Sequence, residues 1–128
     1  MRSAPPDTAP PAADGRDALA RAIDRLERDL ALVRADPGRA PRTARLLEEG
    51  VAKMAKKVGE EAVELALDAV AGERRAVIGE TADLLYHLVV LLDALGVGWG
   101  EVGEELERRR TRLGIAEKLP KPSAWSGG

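Results

Sequence analysis

The sequence predicts an all-α protein, an antiparallel bundle of about four helices completed by homodimerisation. Three observations predict it. Apolar residues recur at steps of three and four along most of the chain, the spacing of one helical face. No stretch alternates apolar and polar residues as a half-buried strand does. The apolar residues are nearly all aliphatic, with no Phe, one Tyr and two Trp, which suits helices packed through Leu, Val and Ala. At 128 residues the chain has the size of one domain.

Residues 1–16, rich in Pro, Ala and Asp and without periodicity, read as a disordered arm. Residues 17–114 read as the helical domain. Asp17 is a candidate cap for the first helix, whose stripe is Leu19, Ile23, Leu26, Leu30 and Val33. Asp36-Pro37-Gly38 is a turn, so this helix should end near Ala35. Pro41-Arg42-Thr43 opens the next helix, with Thr43 as a candidate cap, and Gly50 is positioned to divide a short helix from a longer one. The stripe continues through Leu46, Leu47, Val51, Met54, Val58, Ala62, Leu65 and Ala69. Gly72 is a candidate C-terminal cap before a third helix from about Arg74 to Leu95. That helix is apolar around much of its circumference, so it belongs at the centre of the bundle or at a subunit interface. Gly96-Val97-Gly98 ends it, and a fourth helix runs from about Trp99 to Leu113, with Val102, Leu106 and Leu113 inward. Gly114 should end that helix, and residues 115–128, with Pro120 and Pro122, read as an extended tail.

Composition narrows the function classes. Net charge is -2 from 20 basic and 22 acidic residues, so no overall field draws the chain to nucleic acid or to an anionic membrane. There is no Cys, which excludes disulfides, thiolate catalysis and cysteine-based metal sites. No apolar run approaches the roughly 20 residues of a membrane span. The first residues carry no apolar core of a signal peptide, and the expectation is a cytoplasmic protein.

The chemistry is concentrated between Lys53 and Leu92. Glu60, Glu61 and Glu64 form one carboxylate cluster, and Glu80 and Asp83 form another on the next helix. Residues three or four apart share a helical face. Glu64 lies eight residues before Gly72 and Glu80 eight after it, so antiparallel packing brings the clusters level. Like charges so gathered raise each other's pKa unless a cation intervenes. Mg²⁺ suits such oxygen ligands, usually shares them with substrate phosphates, and Mn²⁺ fits the same set. The alternative is a solvated acidic face, as expected for Glu104, Glu105 and Glu107. Against it, Glu64 and Asp83 fall between apolar residues, where an unpaired charge is costly. Lys57 lies one turn before Glu60 and Glu61, and Lys53 one turn before Lys57. His87, the single His, follows Asp83 by four residues, which leaves it between a packing role and a place behind the ligands, supporting the site. Gly59 reads equally as close helix packing or as backbone room for a ligand.

Glu60-Glu61-Ala62-Val63-Glu64 followed by Glu80-Thr81-Ala82-Asp83 resembles the signature of the all-α, MazG-type nucleotide pyrophosphohydrolases. Thr43-Ala44-Arg45-Leu46-Leu47, Lys56-Lys57-Val58-Gly59-Glu60-Glu61-Ala62, Ala82-Asp83-Leu84-Leu85-Tyr86-His87-Leu88 and Glu105-Leu106-Glu107-Arg108-Arg109 narrow the resemblance to the phosphoribosyl-ATP pyrophosphohydrolase family, over roughly Ala40 to Arg110. The resemblance implies Mg²⁺-dependent hydrolysis of phosphoribosyl-ATP to phosphoribosyl-AMP and pyrophosphate, the second step of histidine biosynthesis. It implies a cytoplasmic dimer or larger assembly with its sites near subunit interfaces. By motif position, Glu61, Glu64, Glu80 and Asp83 are implied metal ligands. Lys57, assisted by Lys53 or Lys56, is the implied polyphosphate contact, and Glu60 the candidate group that handles the attacking water. One departure is Pro41-Arg42 before Thr43, where the family usually has Ser-Tyr. Two other readings stay open at this point. One is a house-cleaning nucleoside triphosphate or dUTP pyrophosphatase with the same metal site. The other is a non-catalytic helical dimerisation protein.

Overall fold

The computed structural model describes the backbone of residues 11–117 and, within it, the side chains of residues 15–110 and 112. The described residues form five α-helices and no strand: α1 (Pro11–Ala35), α2 (Pro41–Glu49), α3 (Val51–Ala71), α4 (Arg74–Leu95) and α5 (Trp99–Glu117). The chain divides after Leu95 into two compact units, the first holding α1 to α4 and the second holding α5.

Within the first unit the breaks lie where the backbone is forced to turn. A 3₁₀ turn, Pro37–Arg39, separates α1 from α2 at the Asp36-Pro37-Gly38 sequence. Gly50 separates α2 from α3 with φ 92°, and Gly72 ends α3 in the left-handed region with φ 76° and ψ 21°. Any residue with a Cβ is disfavoured at both angles. The Gly72 N–H and the Glu73 N–H reach back to the carbonyls of Ala69 and Asp68, capping the end of α3. The chain then doubles back, and α3 and α4 pack along their length as the principal helix pair. α1 lies against α4 and α2 against α3. The buried core is Leu30 and Val33 of α1, Leu46 of α2, Met54 of α3, and Val89 and Val90 of α4. It is small for a domain and draws side chains from all four helices of this unit. Arg34 adds a 2.6 Å bond to Asp93 between α1 and α4.

Several boundaries differ from expectation. α1 starts at Pro11, not at Asp17, so residues 11–16 of the expected arm are helical, while residues 1–10 lie outside the described residues. Pro is tolerated at the first helical position and Ala12 and Ala13 are strong helix formers, which outweighs the weak periodicity there. α5 passes through Gly114 to Glu117, because one Gly costs only about 1 kcal/mol in a helix. Residues 115–117 of the expected tail are therefore helical, and its remainder, residues 118–128, lies outside the described residues. Thr43 is not the cap of α2. That position is Ala40, which makes no side-chain capping bond.

One apolar line, on α3, was not part of the predicted stripes. Val63, Leu67 and Val70 of α3 are 60, 65 and 89 % exposed, and Ile78 of α4 is 57 % exposed. Leu106 of α5, expected inward, is also exposed. No single helix among the described residues is long and apolar enough to cross a membrane.

Candidate active site

The hairpin of α3 and α4 brings three of the four predicted ligands together. Glu61, Glu80 and Asp83 each offer a carboxylate oxygen, and these oxygens lie within 4.8 Å of one another. Glu61 and Glu80 are half-buried and Asp83 is exposed. The fourth, Glu64, is exposed on α3 and lies outside this triad. Burial therefore falls on Glu61 and Glu80, not on Glu64 and Asp83 as the apolar neighbours suggested. The reason is that the Val63–Leu67–Val70 line beside Glu64 is uncovered in a single chain.

Electrostatic strain collects on Glu80. Its carboxyl is pushed up to about 7, first by a hydrogen bond shared with Glu61, then by burial, then by the charges of Glu61, Glu64 and Asp83. Its Oε1 is enclosed and has no hydrogen-bond partner among the described residues. Two carboxylates this close retain a proton unless something of opposite charge replaces it. Lys57 stands on the other side of Glu61, with Nζ 4.0 Å from Glu61 and 3.4 Å from Glu60. Glu60 is thus held by a lysine, with its side chain 47 % exposed.

His87 completes this edge of α4. Its ring meets Tyr86 edge-on at 4.9 Å, and its Nδ1 is enclosed with no partner among the described residues. Burial, followed by the charge of Lys57, lowers its pKa, while Glu61, Asp83 and Glu60 oppose the shift. The shift favours the neutral imidazole, able to accept or donate one hydrogen bond beside Asp83.

Several of these groups open onto a cleft of about 690 Å³, within the roughly 300–1,000 Å³ typical of small-molecule sites. From α3 and α4 it is lined by Lys53, Lys57, Glu61, Asp83, Tyr86 and His87. Lys56, Glu60, Glu64 and Glu80 do not line it. The opposite wall comes from α2 and includes Arg42, Thr43, Arg45 and Glu49. The Thr43 hydroxyl and the Tyr86 phenol are 2.7 Å apart and pin α2 to α4 across the cleft. Sequence reasoning assigned no site role to Arg42 or Arg45. Their three-residue step was a legible sign of a shared face, but nothing local showed which face α2 turns to the carboxylates.

The arrangement is suited to holding a hard divalent cation and a polyanion together: oxygen donors that repel one another, beside two lysines in a nucleotide-sized cleft. The sequence model described as phosphoribosyl-ATP pyrophosphohydrolase matches residues 24–110. Among similar proteins, "Phosphoribosyl-ATP pyrophosphatase 2" of Rhodopseudomonas palustris is 50% identical over 103 residues, covering 80% of this chain and 79% of the relative. "Phosphoribosyl-ATP pyrophosphatase" of Rhizorhabdus wittichii is 47% identical over 100 residues, 78% of this chain and 94% of the relative. The protein of the same name from Azorhizobium caulinodans is 55% identical over 97 residues, 75% and 88% of the two chains.

Proposed function

This chain belongs to the phosphoribosyl-ATP pyrophosphohydrolase family, and on that premise we propose that it hydrolyses phosphoribosyl-ATP to phosphoribosyl-AMP and pyrophosphate, the second step of histidine biosynthesis. The observation that carries the reading is the Glu61–Glu80–Asp83 triad, of which Glu61 and Asp83 line a cleft that also holds Lys53 and Lys57.

The donor set fits Mg²⁺, with Mn²⁺ as a substitute. The enclosed, unpartnered Glu80 oxygen and the raised pKa of its carboxyl beside Glu61 fit a carboxylate site whose charge a cation would balance. Glu61, Glu80 and Asp83 would hold the cation, and Glu64, whose charge acts on Glu80, would complete the set by a side-chain rotation. Once bound, the cation supplies charge neutralisation on the phosphates and a lowered pKa for water. The chain's own residues do the rest. Lys53 and Lys57 receive the polyphosphate, Lys57 by exchanging its contacts with Glu60 and Glu61 for phosphate oxygens. Lys56, on the exposed side of the same turn, assists from outside the cleft. Release of Lys57 frees the Glu60 carboxylate to orient and deprotonate the attacking water. Neutral His87 offers a hydrogen bond that keeps Asp83 in place.

The exposed Val63, Leu67, Val70 and Ile78 support a homodimer in which a second copy completes the bundle. The protein acts on a small nucleotide, and neither nucleic acid nor a membrane has a part in the reading.

The deciding measurement is Mg²⁺-dependent pyrophosphate release from phosphoribosyl-ATP by the purified protein, against a panel of nucleoside triphosphates that includes dUTP. Preference for phosphoribosyl-ATP is expected. Preference for dUTP or another triphosphate would overturn the substrate assignment, and Glu60→Gln with full turnover would remove Glu60 from the mechanism.

A further inference from the structure

The proposed substrate is anionic at both ends. Its triphosphate reacts, and a phosphate monoester on the phosphoribosyl group lies on the far side of the adenine. The cleft is cationic at two places. Lys57 of α3 contacts Glu61 and Lys53 lines the cleft one turn away from it, while Arg42 and Arg45 border the cleft from α2. We propose that Arg42 and Arg45, with the first turn of α2, form a subsite for the non-reacting phosphate monoester of the substrate. The proposal rests on the phosphoribosyl-ATP reading and extends it to how that substrate is distinguished from ATP.

Three features of α2 carry it. Arg42 and Arg45 are three residues apart, so both guanidinium groups leave the same face of the helix. Arg42 has no ion-pair partner among the described residues, and Arg45 has only an exposed contact at 3.5 Å with Glu49, which a phosphate dianion can displace. The cap residue Ala40 offers no side-chain acceptor, and the first helical bond runs from the Ala44 N–H to the Ala40 carbonyl. The Arg42 and Thr43 N–H groups are therefore left without a helical partner, at the positive end of the helix dipole. Planar guanidinium groups beside such donors match the oxygens of a phosphate monoester.

Position agrees with chemistry. The Thr43–Tyr86 bond fixes this end of α2 to α4. Tyr86 is six residues beyond Glu80, about 9 Å further along the axis at 1.5 Å per residue. The arginines of α2 are thus set off along α4 from the carboxylates, on the wall of the cleft opposite Lys53 and Lys57.

The test is a cycle between protein and substrate. Phosphoribosyl-ATP is compared with ribosyl-ATP, the same molecule lacking the 5′-phosphate on the added ribose, in the wild-type protein and in Arg42→Gln/Arg45→Gln. Both arginines are exposed, so their loss leaves the core intact, which circular dichroism checks. Removing the phosphate should lower kcat/KM in the wild type on the order of tenfold or more, the scale of charge-assisted contacts at a solvent-open site. In the double variant it should change little, since the subsite is already gone. Arg42→Lys, which keeps charge and loses the fork, should fall between. If losing the phosphate costs the variant as much as the wild type, the subsite is wrong while the substrate assignment stands. If the wild type does not turn over phosphoribosyl-ATP at all, the functional reading fails first and this one with it.

Discussion

Mg²⁺ binding should expel a proton from the Glu61–Glu80 pair, and the number expelled should follow pH as the structure sets it. Glu80 is pushed up to about 7 by its hydrogen bond with Glu61, its burial and three neighbouring charges. A single site with that midpoint holds about 0.9 proton at pH 6 and about 0.1 at pH 8. Cation binding requires the carboxylate, so about 0.9 proton leaves at pH 6 and almost none at pH 8, and apparent affinity falls up to about tenfold per unit below pH 7. Isothermal titration of Mg²⁺ in buffers of different ionisation enthalpy reads the released proton directly. Glu80→Gln should abolish the release and weaken binding. The same shift fixes the sign of stability in the protein without cation. The folded value lies above the ordinary 4.5, so the native state binds more protons between 4.5 and about 7. The stability this contributes is full below pH 4.5 and is lost as pH rises through 7. Saturating Mg²⁺ should reverse that trend. Equal proton release at pH 6 and pH 8, or undiminished release from Glu80→Gln, would refute the reasoning.

Further outcomes follow from the same geometry. Asp83→Asn should lower Mg²⁺-dependent pyrophosphate release on the order of 10³-fold, as expected for a ligand worth several kcal/mol to the transition state, with the helical circular dichroism unchanged because Asp83 is exposed. Glu64→Gln should cost about 10- to 100-fold, the scale of a group that supports the first ligands, and full activity would remove Glu64 from the set. Tyr86→Phe deletes the 2.7 Å bond to Thr43 and should lower stability by about 1 kcal/mol in urea unfolding.

The helices were legible wherever periodicity and backbone punctuation agreed. Pro37, Gly50, Gly72 and Gly96 each mark a real break, and Gly50, Gly72 and Gly96 do so because their φ values of 92°, 76° and 72° exclude ordinary residues. Punctuation misled at Gly114 and around Asp17, where a single Gly or a polar residue is compatible with a continuing helix. The carboxylate site was legible as two clusters because hairpin geometry alone levels them. Which acids are enclosed was not legible. It depends on the rotation of α3 about its axis, and that rotation leaves Val63, Leu67 and Val70 in solvent while Met54 is buried. The α2 wall was hidden for the same reason: its approach to α4 is set by a long-range contact between Thr43 and Tyr86.

That rotation ties assembly to the metal site. Leu67 lies three residues beyond Glu64, on the same face of α3, and Val63 is its immediate neighbour. A second copy that covers Val63, Leu67 and Val70 would withdraw Glu64 from water. An enclosed carboxylate beside Glu61, Glu80 and Asp83 is costly without a cation and favourable with one. Dimerisation and Mg²⁺ binding should therefore strengthen each other by the same factor, as linkage requires. Leu67→Glu places a charge on the exposed apolar line and should yield a monomer by light scattering. Its Mg²⁺ affinity should fall although Leu67 is no ligand, and raising wild-type protein concentration should tighten Mg²⁺ binding. A monomeric Leu67→Glu with wild-type Mg²⁺ affinity would break the link and leave each protomer's triad self-sufficient.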